Sequence, residues 1–149
     1  MTSQLKTNIS VSFNAPLSFV FQWCTNFTEC DNQIYGSSKQ RKNIEKIDQR
    51  VTYSDEIVKE NGDLIRFNSI VNMFPPNRWN LELTCDDMDE IGEYLLTTQD
   101  DKTILEMTFK LTYKIEKIPT TEKIEQYQNK AWTKFKVALE KDYLYELQK

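Results

Sequence analysis

Residues 102–147, KTILEMTFKLTYKIEKIPTTEKIEQYQNKAWTKFKVALEKDYLYEL, decide the fold. The first part alternates. Leu105, Met107, Phe109, Leu111 and Tyr113 share one parity, and Ile104, Glu106, Thr108, Lys110 and Thr112 the other. Period two predicts a strand over Lys102–Ile115 with one buried and one mostly wet face, as in an antiparallel sheet covered on one side. The second part changes period. Ile124, Tyr127, Ala131, Trp132, Phe135, Ala138 and Leu139 fall in one helical sector, with Gln126, Lys130, Thr133, Lys134, Glu140 and Lys141 mostly opposite. This predicts an amphipathic helix over Thr121–Leu147, about 40 Å long at about 1.5 Å per residue. Pro119 blocks its backward extension, Thr120 or Thr121 caps it, and Glu122 and Glu125 sit near the positive end of its dipole. A terminal helix of that length must lie on a sheet built by the preceding chain, and a helix across a curved sheet leaves room for a pocket. Gln128 and Asp142 intrude on the apolar sector. Both read as solvated edge residues, or Gln128 as a group that meets a ligand.

The upstream chain supplies the sheet. Ile9, Val11 and Phe13 alternate with Asn8, Ser10 and Ser12 in a first strand, Lys6–Phe13. Asn14 as cap and Pro16 in the first turn introduce a helix over Leu17–Cys24. A second short helix is expected over Thr28–Tyr35, ended by Gly36. Lys39–Lys59 reads as two strands, the first carrying Ile44 and Ile47. Asn61-Gly62-Asp63 is a hairpin turn, and Leu64–Phe74 follows as a strand. Pro75-Pro76-Asn77 turns into Arg78–Asp86. Asp86, Asp87, Asp89, Glu90 and Glu93 read as an acidic turn ending near Gly92, before a strand over Glu93–Thr98. The expected class is α+β: a seven-stranded curved antiparallel sheet wrapped around a long C-terminal helix, with two short helices between strands 1 and 2.

Bulk properties narrow the function. At 149 residues the chain is expected to form a single domain, 1–149, with a real core. A net charge of −4 argues against a nucleic-acid footprint. No window is apolar enough for stable membrane insertion, and the polar first residues lack a signal-peptide pattern. With three cysteines and no export signal, a cytoplasmic setting with reduced thiols is expected. The absence of histidine excludes Ser-His or Cys-His nucleophiles, His-ligated zinc and His acid–base work. No cofactor or metal is expected. The acidic turn lacks the spacing of a calcium loop.

The element order resembles the superfamily that joins START domains, the birch-pollen allergen fold, phosphatidylinositol transfer proteins and polyketide cyclases or dehydrases. The resemblance spans about residues 5–146. It rests on Ile9–Phe13, on Ala15-Pro16 opening the helix at Leu17–Trp23, on the meander, and on Thr121–Leu147. The stretch Phe21-Gln22-Trp23-Cys24-Thr25-Asn26-Phe27-Thr28-Glu29-Cys30-Asp31 resembles the early helices of small prokaryotic members, archaeal ones included. The resemblance implies a helix-grip fold whose long helix closes a hydrophobic tunnel, and binding of a lipid or other apolar small molecule. In some members it implies cyclisation or dehydration. No catalytic position carries over.

If the helix meets the inward strand faces, the wall comprises Tyr53, Phe67, Trp79, Leu81, Leu83, Tyr94, Leu105, Met107, Phe109, Gln128, Trp132 and Phe135. Those side chains line a ligand cavity or fill a solid core. Ala131 and Ala138 leave volume or let the helix sit closer. Asp55, at inward parity between Tyr53 and Ile57, is the one candidate general acid or base, or else a carboxylate paired with Lys or Arg. The hydroxyls of Tyr53, Tyr94 and Tyr113 could meet a ligand carbonyl or the backbone. Cys24 and Cys85 read as core, Cys30 as exposed, and nothing places a cation beside a thiol. The basic run Lys39, Arg41, Lys42 and Lys46 is expected on solvated loops or a partner surface. Three functions stay open: a carrier or sensor of a hydrophobic small molecule or lipid, a cyclase- or dehydratase-type enzyme using Asp55 with a tyrosine, and a co-chaperone-like interaction module with a filled interior. Oligomeric state is not legible.

Overall fold

A computed structural model describes residues 3–149. The chain runs β1 (Ser3–Phe13), α1 (Leu17–Thr25), α2 (Asp31–Ile34), β2 (Gln40–Ile47), β3 (Arg50–Val58), β4 (Leu64–Phe74), β5 (Arg78–Thr84), β6 (Met88–Gln99), β7 (Lys102–Tyr113) and α3 (Thr121–Leu147). The strands form one antiparallel sheet in the order β1-β7-β6-β5-β4-β3-β2. After β1 the chain crosses to the opposite edge through α1 and α2 and returns strand by strand, each hairpin pairing with the last. Period two in β7 is complete: Thr103, Leu105, Met107, Phe109, Leu111 and Tyr113 are all buried.

Four local readings are corrected. The strand expected to begin at Glu93 begins at Met88, so Asp89 and Glu90 belong to the ladder, paired with Thr84 and Leu83 of β5. Only Asp86 and Asp87 make the bend between β5 and β6. Gly92 is a buried strand residue, not the end of a turn. A Cβ there would stand 3.2 Å from the Phe109 ring and 3.0 Å from that of Tyr94, so the glycine is what lets two rings lie over the backbone. Asn14 does not cap α1. Its N–H donates to Glu140 Oε2 of α3 at 2.7 Å, and Pro16 precedes the first turn with no side-chain cap. The second helix is one turn long, where Thr28–Tyr35 was expected. Thr28 instead donates through N–H and Oγ1 to the Asp31 carboxylate, and Gly36 turns the chain at φ 81°. The cap of α3 is Thr120, whose side chain accepts from the Lys123 N–H.

The core gathers between β1, β6, β7 and α1, around Phe13, Val20, Leu96, Leu105 and Met107. The long helix approaches the sheet most closely along β1, an edge strand. Leu139 is its one fully buried residue among the described residues. Four polar contacts fasten the rest. Thr7 Oγ1 donates to Gln128 Oε1 at 3.0 Å, and Trp23 Nε1 to Asp142 Oδ2 at 2.8 Å. Lys134 Nζ donates to the Tyr35 carbonyl at 3.2 Å, and the Asn14–Glu140 contact completes the set. Both residues that interrupted the apolar sector are therefore fasteners.

Replacing Gly92 by valine should lower stability by about 1–3 kcal/mol, because the new methyls meet the buried ring of Phe109. A urea midpoint at or above the wild-type value would show that the rings have room to move.

Candidate functional site

Between α3, the two short helices and the inward faces of β2–β7 lies a cavity of about 710 Å³. It is well inside the range of small-molecule sites, about 300–1,000 Å³. Exposed side chains of Pro119, Lys123 and Tyr127 belong to its wall, so it opens to solvent near the start of α3.

Of the twelve wall residues read from the sequence, ten line this space: Tyr53, Phe67, Trp79, Leu81, Leu83, Tyr94, Phe109, Gln128, Trp132 and Phe135. Leu105 and Met107 do not. They lie further along β7 where α1 covers it, and at 0% and 1% exposure they are solid core. Most of the aromatic lining forms one network of ring contacts, with Phe27 and Tyr53 a separate pair. Trp79 stacks on Tyr94 with centroids 4.9 Å apart, and the Tyr94 ring meets Phe109 edge-on at 5.6 Å. Trp132 and Phe135 of α3 stand 5.0 Å apart, and Phe135 reaches Tyr35 at 5.3 Å and Trp23 at 6.2 Å. Phe27 stacks on Tyr53 at 5.5 Å. Rings in contact with one another at these distances hold the wall open, since each is braced by its neighbours.

Asp55 is buried and fully engaged. It accepts from Arg41 Nε at 2.9 Å and Nη2 at 3.2 Å, and from Asn32 Nδ2 at 2.9 Å. Arg41 also bonds Asp31 of α2 at 2.8 Å, and its guanidinium lies 4.0 Å over the Tyr53 ring. This fork ties α2 to the sheet edge and occupies both oxygens of the Asp55 carboxylate.

The basic run divides by strand parity. Arg41 and Lys39 face the cavity, Lys42 pairs outward with Glu56 at 2.9 Å, and Lys46 Nζ donates to Asn26 Oδ1 at 3.3 Å. The Lys39 ammonium sits 4.1 Å over the Phe67 ring, and burial lowers its pKa. From β6, Glu90 faces the same space with no hydrogen bond or ion pair among the described residues. Burial pushes its carboxyl up to about 7, and the nearby charge of Lys39 pulls the other way. Glu90 was missed because its segment looked like a turn. The signal was there: counting back by twos from Tyr94 passes through Gly92 and Glu90.

Burial raises the tyrosines too, Tyr53 to about 12 and Tyr94 well above its usual value, so both are neutral donors. The Tyr94 hydroxyl has no hydrogen-bond partner among the described residues. Cys24 lines the cavity with its thiol pushed up by burial, opposite to what a reactive thiolate requires. Cys30 is exposed. Among the described residues no group of three Asp, Glu or Cys is placed to hold a metal ion.

The sequence matches no family model and no curated protein. Solved structures do match. The Zhui aromatase/cyclase from Streptomyces sp. R1128 superimposes with a TM-score of 0.71 at 12% identity, over 97% of this chain and 96% of that one. A START superfamily protein from Mycobacterium smegmatis gives 0.71 at 14%, over 91% and 97%. Ara h 8.0201 gives 0.71 at 10%, over 96% and 99%. This chain has the helix-grip fold. At such identities the likeness concerns the path of the backbone. The seven-stranded sheet and terminal helix are shared, while the polar groups described above are this chain's own.

Two outcomes follow from the site. Arg41→Ala leaves Asp55 and Asp31 without their cation, and should cost about 3–5 kcal/mol in urea unfolding; a loss below about 1 kcal/mol would mean that water replaces the guanidinium. Glu90→Gln should stabilise the protein, with a sign fixed by linkage. A carboxyl raised on folding weakens the fold as pH climbs from about 4.5 to about 7, and fully so above that. The gain over wild type should be small at pH 4.5 and largest at pH 8; a gain independent of pH would contradict the raised carboxyl.

Proposed function

We propose that this protein is a carrier or sensor that binds a hydrophobic small molecule or lipid in the cavity beneath α3, as a single ligand-binding domain in a cytoplasmic setting. The observation that carries this reading is a cavity of about 710 Å³ walled by interlocked aromatic rings and open beside Tyr127. An apolar ligand of naphthalene size or larger would exchange contact with water for contact with rings. The gain is about 25 cal/mol per Å² of apolar surface, reduced by ordering costs. A co-chaperone-like module would have no need of such a void, and the interior supports a ligand over that alternative.

An enzyme of the cyclase or dehydratase type is the second reading. It is favoured by one specific observation, a cavity carboxyl with a pKa near neutrality facing a cation. In that reading Glu90 moves a proton and Tyr94 donates a hydrogen bond to a substrate carbonyl. Asp55, held by Arg41 and Asn32, serves to position the wall.

The test uses 2-acetylnaphthalene, a neutral aromatic ketone, followed by quenching of the cavity tryptophans. Ala131 lines the cavity from α3, so Ala131→Phe should weaken binding at least tenfold while leaving the urea midpoint near wild type. Met107→Ala should do the reverse, costing about 2–5 kcal/mol of stability because Met107 is core. Unchanged affinity in Ala131→Phe would place the ligand elsewhere. Native mass spectrometry of protein purified without detergent should show a bound mass that this variant loses.

A further inference from the structure

Most ionisable side chains in the cavity wall are neutralised or held neutral. Arg41 is spent on Asp31 and Asp55. Tyr35, Tyr53, Tyr94 and Tyr113 are all raised above the ordinary phenol range, and Cys24 is pushed up by burial. From α3, Lys123 and Tyr127 stand at the exposed rim, and Asp142 is bonded to Trp23. Two groups remain. Lys39 enters from the strand-β2 side, its ammonium 4.1 Å over the Phe67 ring. Glu90 enters from β6, in the row that runs through Leu111, Glu90 and Leu83. They feel each other's charge but are not within ion-pair distance, and neither charged group has a hydrogen-bond or ion-pair partner among the described residues, the ammonium resting on the Phe67 ring face. A cation and a carboxyl thus face one cavity without pairing, and both are open to a ligand that enters it.

Resting on the ligand-binding reading, we propose that Lys39 and Glu90 together form a head-group site for a single carboxylate on an otherwise aromatic or aliphatic ligand, with Glu90 bound in its protonated form. The ammonium supplies the countercharge. The Glu90 O–H donates to the carboxylate, which an ionised Glu90 would repel. Glu90 takes up one proton from solvent when the ligand enters above neutral pH. The ligand's body extends over Leu81 and Phe109 toward Trp79 and Trp132. The preference for an anion comes from the charge left when Glu90 is neutral, that of Lys39 alone. A neutral ketone would lose nothing with pH, and an ammonium would be repelled by Lys39 at acid pH. The near-neutral carboxyl makes this selectivity depend on pH within the range of cells.

Three probes of one shape separate the cases: 2-naphthoate, 2-acetylnaphthalene and 2-naphthylmethylammonium, titrated from pH 5.5 to 8.5. The expected result is that 2-naphthoate binds at least tenfold tighter than the ammonium at pH 5.5, and that its advantage over the ketone shrinks tenfold or more between pH 6 and 8.5. Calorimetry in two buffers of different ionisation enthalpy should show close to one proton taken up at pH 8. Glu90→Gln, which keeps a hydrogen-bond donor, should hold 2-naphthoate with little pH dependence and no proton uptake. Lys39→Met should abolish the preference for 2-naphthoate while leaving the ketone bound. Binding of all three probes without a head-group preference would overturn the carboxylate site alone. So would a pH dependence that survives in Glu90→Gln. Failure of the ketone and both charged probes to bind would instead overturn the ligand-binding reading beneath it.

Discussion

The height of α3 above the sheet governs everything else in this protein. The helix is not laid flat on the centre of the sheet. It runs closest to the edge strand β1, anchored by Leu139 and by Gln128 on Thr7, while α1 and α2 hold it from the other side through Trp23–Asp142 and Tyr35–Lys134. These contacts are short, directional and at the periphery. They fix the helix without drawing its aromatic face down onto β5 and β6. Ala131 and Ala138 keep its middle slim, and Gly92 lets the Phe109 and Tyr94 rings lie close to the sheet. The result is a roof held at its margins over an interior that its own side chains do not fill.

Inside, burial converts ordinary side chains into a graded surface. Toward Trp79, Tyr94 and Trp132 the wall is aromatic and uncharged. Toward Phe67 and Leu83 it acquires Lys39 and Glu90. The Arg41 fork shows the contrast: with two carboxylates and an asparagine around it, its charge is consumed in fastening α2 to β2 and β3. Lys39, two residues earlier, has no such partners. Of two neighbouring cations in the same cavity, one is paired with carboxylates and the other is not.

Much of this was legible in the sequence. Strict alternation over 102–113 and the change to a helical period after Pro119 identify β7 and α3 because each pattern is long and interrupted little. Ten of twelve wall residues follow from periodicity alone, seven from strand parity and three from the helical sector of α3. What parity lacks is distance along the strand, and so Leu105 and Met107, on the right face but beneath α1, were placed in the cavity. The basic run was hidden by a bulge. Between Lys42 and Glu45 the register shifts, with Asn43 at φ 58°, so Ile44 turns inward although Lys39 and Arg41 also face in. Read without the bulge, the parity of Ile44 sends both cations outward. Glu90 was hidden by composition, since five acidic residues in eight look like a solvated turn. The fasteners Gln128 and Asp142 needed partners over a hundred residues away, which no local pattern contains.

The central claim is that the space beneath α3 is real and stays unfilled by the protein. An experimentally phased electron-density map at high resolution, from protein purified without detergent, tests it directly. The account predicts a continuous gap bounded by Trp132 and Phe135 above and by Leu81 and Phe109 below, occupied by a bound molecule or by solvent. Indole and phenyl rings of α3 in direct contact with Leu81 and Leu83, with α3 shifted down onto the sheet, would contradict it.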